Sequence, residues 1–398
     1  MNPLPLGNRN LIRSINRSII LNVIKQKGEI SRAAIAHQTG LSPATLSGIT
    51  NQLINEGLVF EKMTGNSTGG RPPILLAINP RGGFVIGIKF MEGQAVGALT
   101  DLEANILAKN SIDISNKQIE TSVEMLTSLV NRLLQSGGIR KKQLMGVGIG
   151  LAGIVDFSRG IVRQNPFLGW QNIQLRDQLE TRMRVPVFVD NDVNTLTLHE
   201  KWLNPAQFNE DFIVITIGRG IGMGIVINGQ LYRGNRGGAG EIGHLVVDPN
   251  GPLCSCGKHG CLESYIGEPA LVAEAQRVVS PDVTDLDDLI GLASDGNEKA
   301  ISVLSKAGTL FGIQVANLVN LLDPKLIIIS GEGIRMGELF FNAFHSAFYD
   351  CIMPGLADDT EIRIDSWGDG IWALGAASLV IAEIFKSPIQ KGGKSQDQ

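Results

Sequence analysis

The chain has 398 residues, 43% of them hydrophobic and 19% charged, with a formal net charge of −4. These proportions exclude wholesale disorder and a uniformly basic nucleic-acid binder, and at roughly 100–200 residues per domain they suggest two to four domains. Glycine is in excess, 48 residues with only 5% aromatics, against a usual share of ~7%. Tight turns and close backbone approach are expected, as in α/β folds that bind phosphate or sugar.

The first ten residues lack a charged region followed by an apolar run, so no targeting segment is read. No stretch approaches the ~18 apolar residues of a membrane span. A cytoplasmic protein is expected, and four cysteines in a chain this long make no disulfide framework.

Residues 1–80 carry eight basic groups and three acids, a net +5 that leaves −9 for the remainder. A basic module on an acidic body suggests a nucleic-acid-binding head. Ile15, Ile19 and Val23 mark an apolar stripe on a first helix that Gly28 ends. Ser31 caps a second helix carrying Ala34, Ile35 and Ala36, and Gly40 stops it. Ser42-Pro43 opens a third helix, with Leu46, Ile49, Leu53 and Ile54 inward, running to about Glu56. Leu58–Glu61 and Ile74–Ala77 to Ile78 read as strands around a glycine-rich turn, Gly65 to Pro73.

Three helices and a hairpin make a winged helix-turn-helix. The outward residues of the third helix are small: Ala44, Thr45, Ser47 and Gly48. They let it sit deep in a major groove, where Thr45 and Ser47 reach base edges. Arg32, Ser42 and Asn51 join them as DNA-facing candidates, and Arg71 at the wing tip is placed on a phosphate or in a minor groove. A three-helix module that never touches DNA is the plainer alternative, disfavoured by the charge and the wing.

From about residue 81, glycine-rich apolar strands (Phe84–Lys89, Gly146–Gly150, Val187–Asp190, Ile213–Ile217, Leu326–Ile329) alternate with helices (near Ser122–Gln135, Leu175–Met183, Ala307–Leu321). That alternation is α/β layering. Two similar halves are expected, each opening on a strand pair, Phe84 to Leu99 and Ile213 to Leu231.

Cys254, Cys256 and Cys261 fall within eight residues, close to His244. Thiols this dense in a reduced compartment favour Zn2+, which takes four tetrahedral N or S ligands. His244 is preferred as the fourth ligand, with His259 competing. Three unligated buried cysteines are the plainer reading, and Cys351 is taken as a small core residue.

On these residues the chain resembles the ROK family of repressors, open reading frames and kinases, over essentially its full length and most closely in its repressor branch. The head matches in Ser31-Arg32-Ala33, Thr39-Gly40-Leu41-Ser42, Gly57-Leu58-Val59 and Ser67 to Pro72; the body matches in Gly240-Glu241-Ile242-Gly243-His244 and in Cys254 to Glu263. The resemblance implies a winged helix over 1–80, a two-lobed sugar-kinase-like (actin-like ATPase) body over 81–390 with its cleft near 190–265, and a polar tail over 391–398. It assigns Asn191, Asp192, Glu241, His244 and Glu263 to a sugar, approached from opposite sides of the cleft, with Gly153 and Asn165 on the rim. Carboxylates and an amide suit paired hydroxyls, and His244 can ligate zinc through one nitrogen while the other faces the sugar. Xylose, glucose, N-acetylglucosamine and oligosaccharides all fit.

The departures from the family kinases weigh against catalysis. Their first phosphate loop carries an aspartate where this chain has Lys89, and the Gly-Thr pair is missing from Lys89-Phe90-Met91-Glu92-Gly93. In the second loop, Gly218 to Gly224, Arg219 replaces a threonine. Phosphoryl transfer depends on holding metal and phosphate in place. The resemblance therefore implies a non-enzymatic, sugar-responsive repressor that binds an inverted-repeat DNA operator as a homodimer or homotetramer. A sugar kinase with an appended DNA-binding head is the rival, and a body that binds a protein in place of sugar is a third reading.

Overall fold

A computed structural model of the chain describes residues 8–63, 73–114, 117–203, 211–368 and 370–387. Asn8 caps α1 (Arg9–Lys27) by accepting from the Asn10 amide, and Gly28 at φ 73° ends it. After β1 (Ile30–Ser31), the Ser31 side chain accepts from Ala34 N to open α2 (Arg32–Thr39), which Gly40 closes in the left-handed region. Ser42 does the same for α3 (Pro43–Asn55), accepting from Thr45 N with proline at the first helical position. β2 (Val59–Met63) and β3 (Ile74–Ile78) pair antiparallel, and β1 adds to β3 to give a three-stranded wing sheet. The helix boundaries match the expectation; the third strand was not foreseen. The α1 stripe is corrected: Ile19 is 40% exposed, while Ile20, Leu21, Val23 and Ile24 are buried. The wing turn, including Arg71, lies outside the described residues.

The body continues with β4 (Phe84–Met91), β5 (Gly93–Thr100), β6 (Ile106–Ile114), α4 (Ile119–Ser136) and β7 (Leu144–Leu151). Three short strands follow, β8 (Ile154–Asp156), β9 (Ile161–Asn165) and β10 (Trp170–Ile173), then α5 (Leu175–Met183), β11 (Val187–Asn191) and α6 (Asp192–Leu203). Next come β12 (Phe212–Ile217), β13 (Ile221–Ile227), β14 (Gln230–Tyr232), α7 (Glu263–Ile266), α8 (Glu268–Val278), α9 (Leu286–Ser294) and α10 (Glu298–Leu322). The chain ends on β15 (Leu326–Ser330), α11 (Gly337–Cys351), β16 (Glu361–Ile364) and α12 (Ile371–Phe385).

The two large sheets follow one plan, with strand orders β11-β7-β4-β5-β6 and β14-β13-β12-β15-β16. In each, the opening strand pairs antiparallel with its hairpin partner and parallel with a later strand: β4 with β5 and β7, β12 with β13 and β15. The two expected halves are present. Strands β12 and β15 are buried along their whole length, as parallel strands covered on both faces must be.

Packing divides the chain into two compact units. One takes the described residues of 1–151, 174–190 and 372–398; the other takes 152–173 and 191–371. The winged helix falls with the first large sheet in one of these units. In that unit α12 lies directly on β4 and β7. A Cβ at Gly87 would stand 1.9 Å from the Ala373 carbonyl oxygen, and one at Gly148 would stand 1.8 Å from that of Ala376. Only glycine admits the helix backbone this close. The second unit is cored by α10 against α11, where Phe311 and Phe344 lie 5.2 Å apart between ring centroids. Among the described residues no helix is long and apolar enough to cross a membrane.

Candidate functional site

The segment after Glu241 folds back on itself without long elements. Val246 bridges Cys261 and Leu253 bridges His259. Gly260 at φ 68° permits the turn, since a Cβ there would meet the Asp248 carbonyl oxygen at 1.5 Å. The ligand atoms of His244, Cys254, Cys256 and Cys261 then all fall within 4.8 Å of one another. His244 Nδ1 lies 3.5 Å from Cys254 Sγ, and Cys256 Sγ lies 3.6 Å from Cys261 Sγ. A tetrahedral ion with bonds of about 2.0–2.3 Å sets its ligands about 3.3–3.8 Å apart, so these donors fit a metal. Burial and the neighbouring thiols push Cys261 up to about 12; a cation supplies what three crowded thiolates lack. His259, the competing ligand, turns its Nδ1 to the Gly251 carbonyl at 3.0 Å. Cys351, expected in the core, is exposed.

His244, Asp192 and Glu263 all lie close enough to Glu241 to act on its charge. His244 Nε2 lies 3.9 Å from Glu241 Oε2, so one imidazole nitrogen faces the thiols and the other faces the acids. Burial raises the Glu241 carboxyl above its usual range; His244 opposes this, and the charges of Asp192 and Glu263 add to it. Glu263 accepts from the Ile221 amide through Oε2 and from Ser255 Oγ through Oε1, both at 3.2 Å. Ser255, between two thiol positions, was not singled out from sequence. Asp192 is 8% exposed at the N-terminus of α6, where the helix dipole favours its charge. Asn191 is committed locally: its Oδ1 accepts from Val193 N and Asn194 N, and its Nδ2 donates to the Gly153 carbonyl. Asn165 is buried, bonding the Ala152 carbonyl and the Leu168 amide. All five sugar candidates belong to one compact unit.

On the winged helix, Ala44, Thr45, Ser47, Gly48 and Asn51 are exposed together along α3. Ser42 Oγ is engaged as the cap of α3 and stands 2.9 Å from Thr45 Oγ1. Arg32 is already paired, through Nε to Thr50 Oγ1 at 3.2 Å and through Nη2 to Glu61 at 2.7 Å. It ties α2 to α3 and the wing.

In the two glycine-rich loops, Lys89 is buried on β4 with its ammonium 4.1 Å from the centre of the Trp372 ring. Met91-Glu92-Gly93 is the tight turn between β4 and β5, with Glu92 paired to Lys117. Gly218 to Gly220 is a turn between β12 and β13; Arg219 stacks on Phe167 at 4.9 Å. The Glu332 carboxylate sits against Gly218, 2.5 Å from where a Cβ would be.

Comparison with known proteins bears on both halves. Residues 85–383 match the ROK family and residues 13–59 match a winged helix-turn-helix DNA-binding family. A protein named putative xylose repressor, from Caldicellulosiruptor sp. strain Rt8B.4, is 33% identical, covering 96% of this chain and 99% of its own. The N-acetylglucosamine repressor of Escherichia coli O157:H7 is 30% identical over 94% of each. Among solved structures, a ROK family transcriptional regulator described as a homolog of the E. coli MLC protein matches with a TM-score of 0.85 and 26% identity, covering 96% of this chain and 98% of that one. A ROK family glucokinase from Streptomyces griseus, bound to glucose and AMPPNP, matches at 0.64 and 29% identity over 75% of this chain and 99% of that one.

Proposed function

Because the chain belongs to the ROK family and carries a winged helix-turn-helix ahead of the family's body, we propose that it represses carbohydrate-utilisation genes and is released from its operator by a sugar. The observation that carries the sensing half is the cluster of Asp192, which is buried, with the half-buried Glu241 and Glu263, beside His244. Three carboxylates held close need donors, and sugar hydroxyls supply them in pairs. The names of the relatives point to xylose and N-acetylglucosamine as the first sugars to try.

The thiol and imidazole set holds one Zn2+ per chain in this reading, in a structural role. Zinc would fix the tautomer and orientation of His244, and so the face it turns to the sugar. Thr45, Ser47 and Asn51 read base edges, and Arg71 grips the backbone. Two heads on an inverted repeat give the affinity that one helix-turn-helix lacks, so the chain acts as at least a dimer. The kinase rival is disfavoured. Lys89 stands where the family kinases carry a carboxylate for magnesium, and the Glu332 carboxylate beside Gly218 repels a phosphate.

The test is an operator-binding titration with D-xylose, D-glucose and N-acetylglucosamine. The expected result is a 5–150-fold loss of affinity, corresponding to a coupling of roughly 1–3 kcal/mol, with one sugar. Asp192→Asn should bind operator normally and fail to respond. A sugar that binds the wild type tightly and leaves its operator affinity unchanged refutes the inducer reading.

A further inference from the structure

The winged helix meets the rest of its unit at a directional polar junction. Phe385 closes α12, so its carbonyl is one of the four left without a partner in the helix. Two side chains of α1 supply donors to it. Ser18 Oγ donates to the Phe385 oxygen at 2.6 Å and Asn22 Nδ2 donates to the same oxygen at 2.9 Å. Asn22 also donates to the Ser18 carbonyl at 2.8 Å, which fixes its amide. Ser18 is 5% exposed and Phe385 4%, so water does not replace the Ser18 bond at low cost; Asn22 is exposed and closes the junction from the solvent side.

The same helix carries a second junction. Arg13 donates through Nε and Nη2 to Gln52 Oε1 at 3.1 and 2.9 Å. Arg17 pairs with Glu56 at 2.8 Å, and Gln52 Nε2 donates to Glu56 Oε1 at 2.7 Å. Gln52 and Glu56 lie at the C-terminal end of the recognition helix α3. At 3.6 residues per turn, positions 13 and 17 point about 140° away from positions 18 and 22. One face of α1 therefore grips the recognition helix and another grips α12. The anchor is stiff, since Gly87 and Gly148 seat α12 against β4 and β7 with no room for a methyl group.

We infer that Ser18 and Asn22 are positioning residues for DNA recognition: by clamping the Phe385 carbonyl they set the angle at which α1 presents α3. Apolar packing alone would hold the same surfaces together while leaving them free to rotate. Two hydrogen bonds to one oxygen fix a direction. The inference rests on the reading of the chain as a paired-head DNA binder, and it assigns to these two side chains the geometry on which the spacing of half-sites depends.

The test uses the full-length chain and a duplex selected in vitro by the wild type. Three probes are compared: the selected site, the same site with two base pairs added between half-sites, and one half-site alone. Two base pairs rotate a half-site by about 70°. The wild type should lose about a hundredfold on the respaced site, the share of affinity that simultaneous engagement supplies. Ser18→Ala combined with Asn22→Ala should bind the single half-site as the wild type does, bind the selected site more weakly, and differ by less than about threefold between spacings. Ser18→Thr alone, which keeps the hydroxyl, should retain the spacing preference. A double variant that discriminates spacing like the wild type overturns the inference. So does one that loses half-site and paired-site binding in equal proportion, because the two residues would then merely support the fold. If the wild type itself shows no spacing preference, the paired-head reading falls first, and that result is visible without any variant.

Discussion

Gly48 permits a test in which stability and function must move in opposite directions. It lies in the middle of α3, exposed, and a Cβ built there meets nothing within 4 Å. Glycine in a helix interior is about 0.8–1.0 kcal/mol less favourable than alanine, from backbone entropy. Gly48→Ala should therefore stabilise the protein by about 0.5–1 kcal/mol, which raises the Tm of a cooperative unit of 150–250 residues by roughly 1–4 °C. Against DNA the same methyl is an obstruction. Gly48 is three residues from both Thr45 and Asn51 on one helix face, the face read as entering the groove. Forcing a methyl into a packed contact costs about 1–3 kcal/mol, or roughly 5–150-fold in affinity. Differential scanning calorimetry measures the first effect, and fluorescence anisotropy on a selected duplex measures the second. A drop in Tm would contradict the helical account of this position. A rise in Tm with unchanged DNA affinity would show that this face does not meet the bases.

Gly148→Ala is the mirror case: its Cβ would stand 1.8 Å from the Ala376 oxygen, so α12 must retreat by more than an ångström, and calorimetry should register a loss of about 1–3 kcal/mol. Elemental analysis should find one zinc per chain, absent in Cys261→Ser; metal-free protein that still shows a sugar-dependent thermal shift would disprove the link between metal and sensor. Burial holds His199 of α6 down at about 4, against an ordinary 6.5. The unfolded chain takes up this proton first as pH falls, so stability should decline between pH 6.5 and 4, by up to about 3 kcal/mol at ~1.4 kcal/mol per pH unit. Urea titrations of wild type and His199→Gln across that range check it, and identical acid limbs would rule His199 out as the cause.

Local chemistry was the part of the fold most legible in the residues. Ser31 and Ser42 act on amides three residues ahead, and Gly28 and Gly40 end helices through their own backbone angles, so each signal is complete within a few positions. The metal set was legible for the same reason, its three thiols lying within eight residues. The α1 stripe was not. Ile19-Ile20-Leu21 and Val23-Ile24 are adjacent apolar runs that satisfy two helical phases, and only tertiary packing chooses between them. β1 is two residues long and has no period to detect. The pairing of Arg32 was not legible either, because its partners, Thr50 and Glu61, are 18 and 29 residues away. The glycine excess was legible as close backbone approach, and Gly87 and Gly148 are such approaches; that the partner is a helix of the chain itself was not legible.

The unit that holds the winged helix is drawn from three separated stretches, and the last to be made is α12. During synthesis, residues up to 151 emerge long before residue 372, and at about 5–20 residues per second the interval is roughly 10–45 s. Throughout it, β4 and β7 have no α12 to cover the groove over Gly87 and Gly148, and Ser18 has no Phe385 carbonyl to hold. The head can acquire its fixed bearing only once α12 has been made. A product cut short before α12 would thus carry the helices that face DNA without the anchor that aims them.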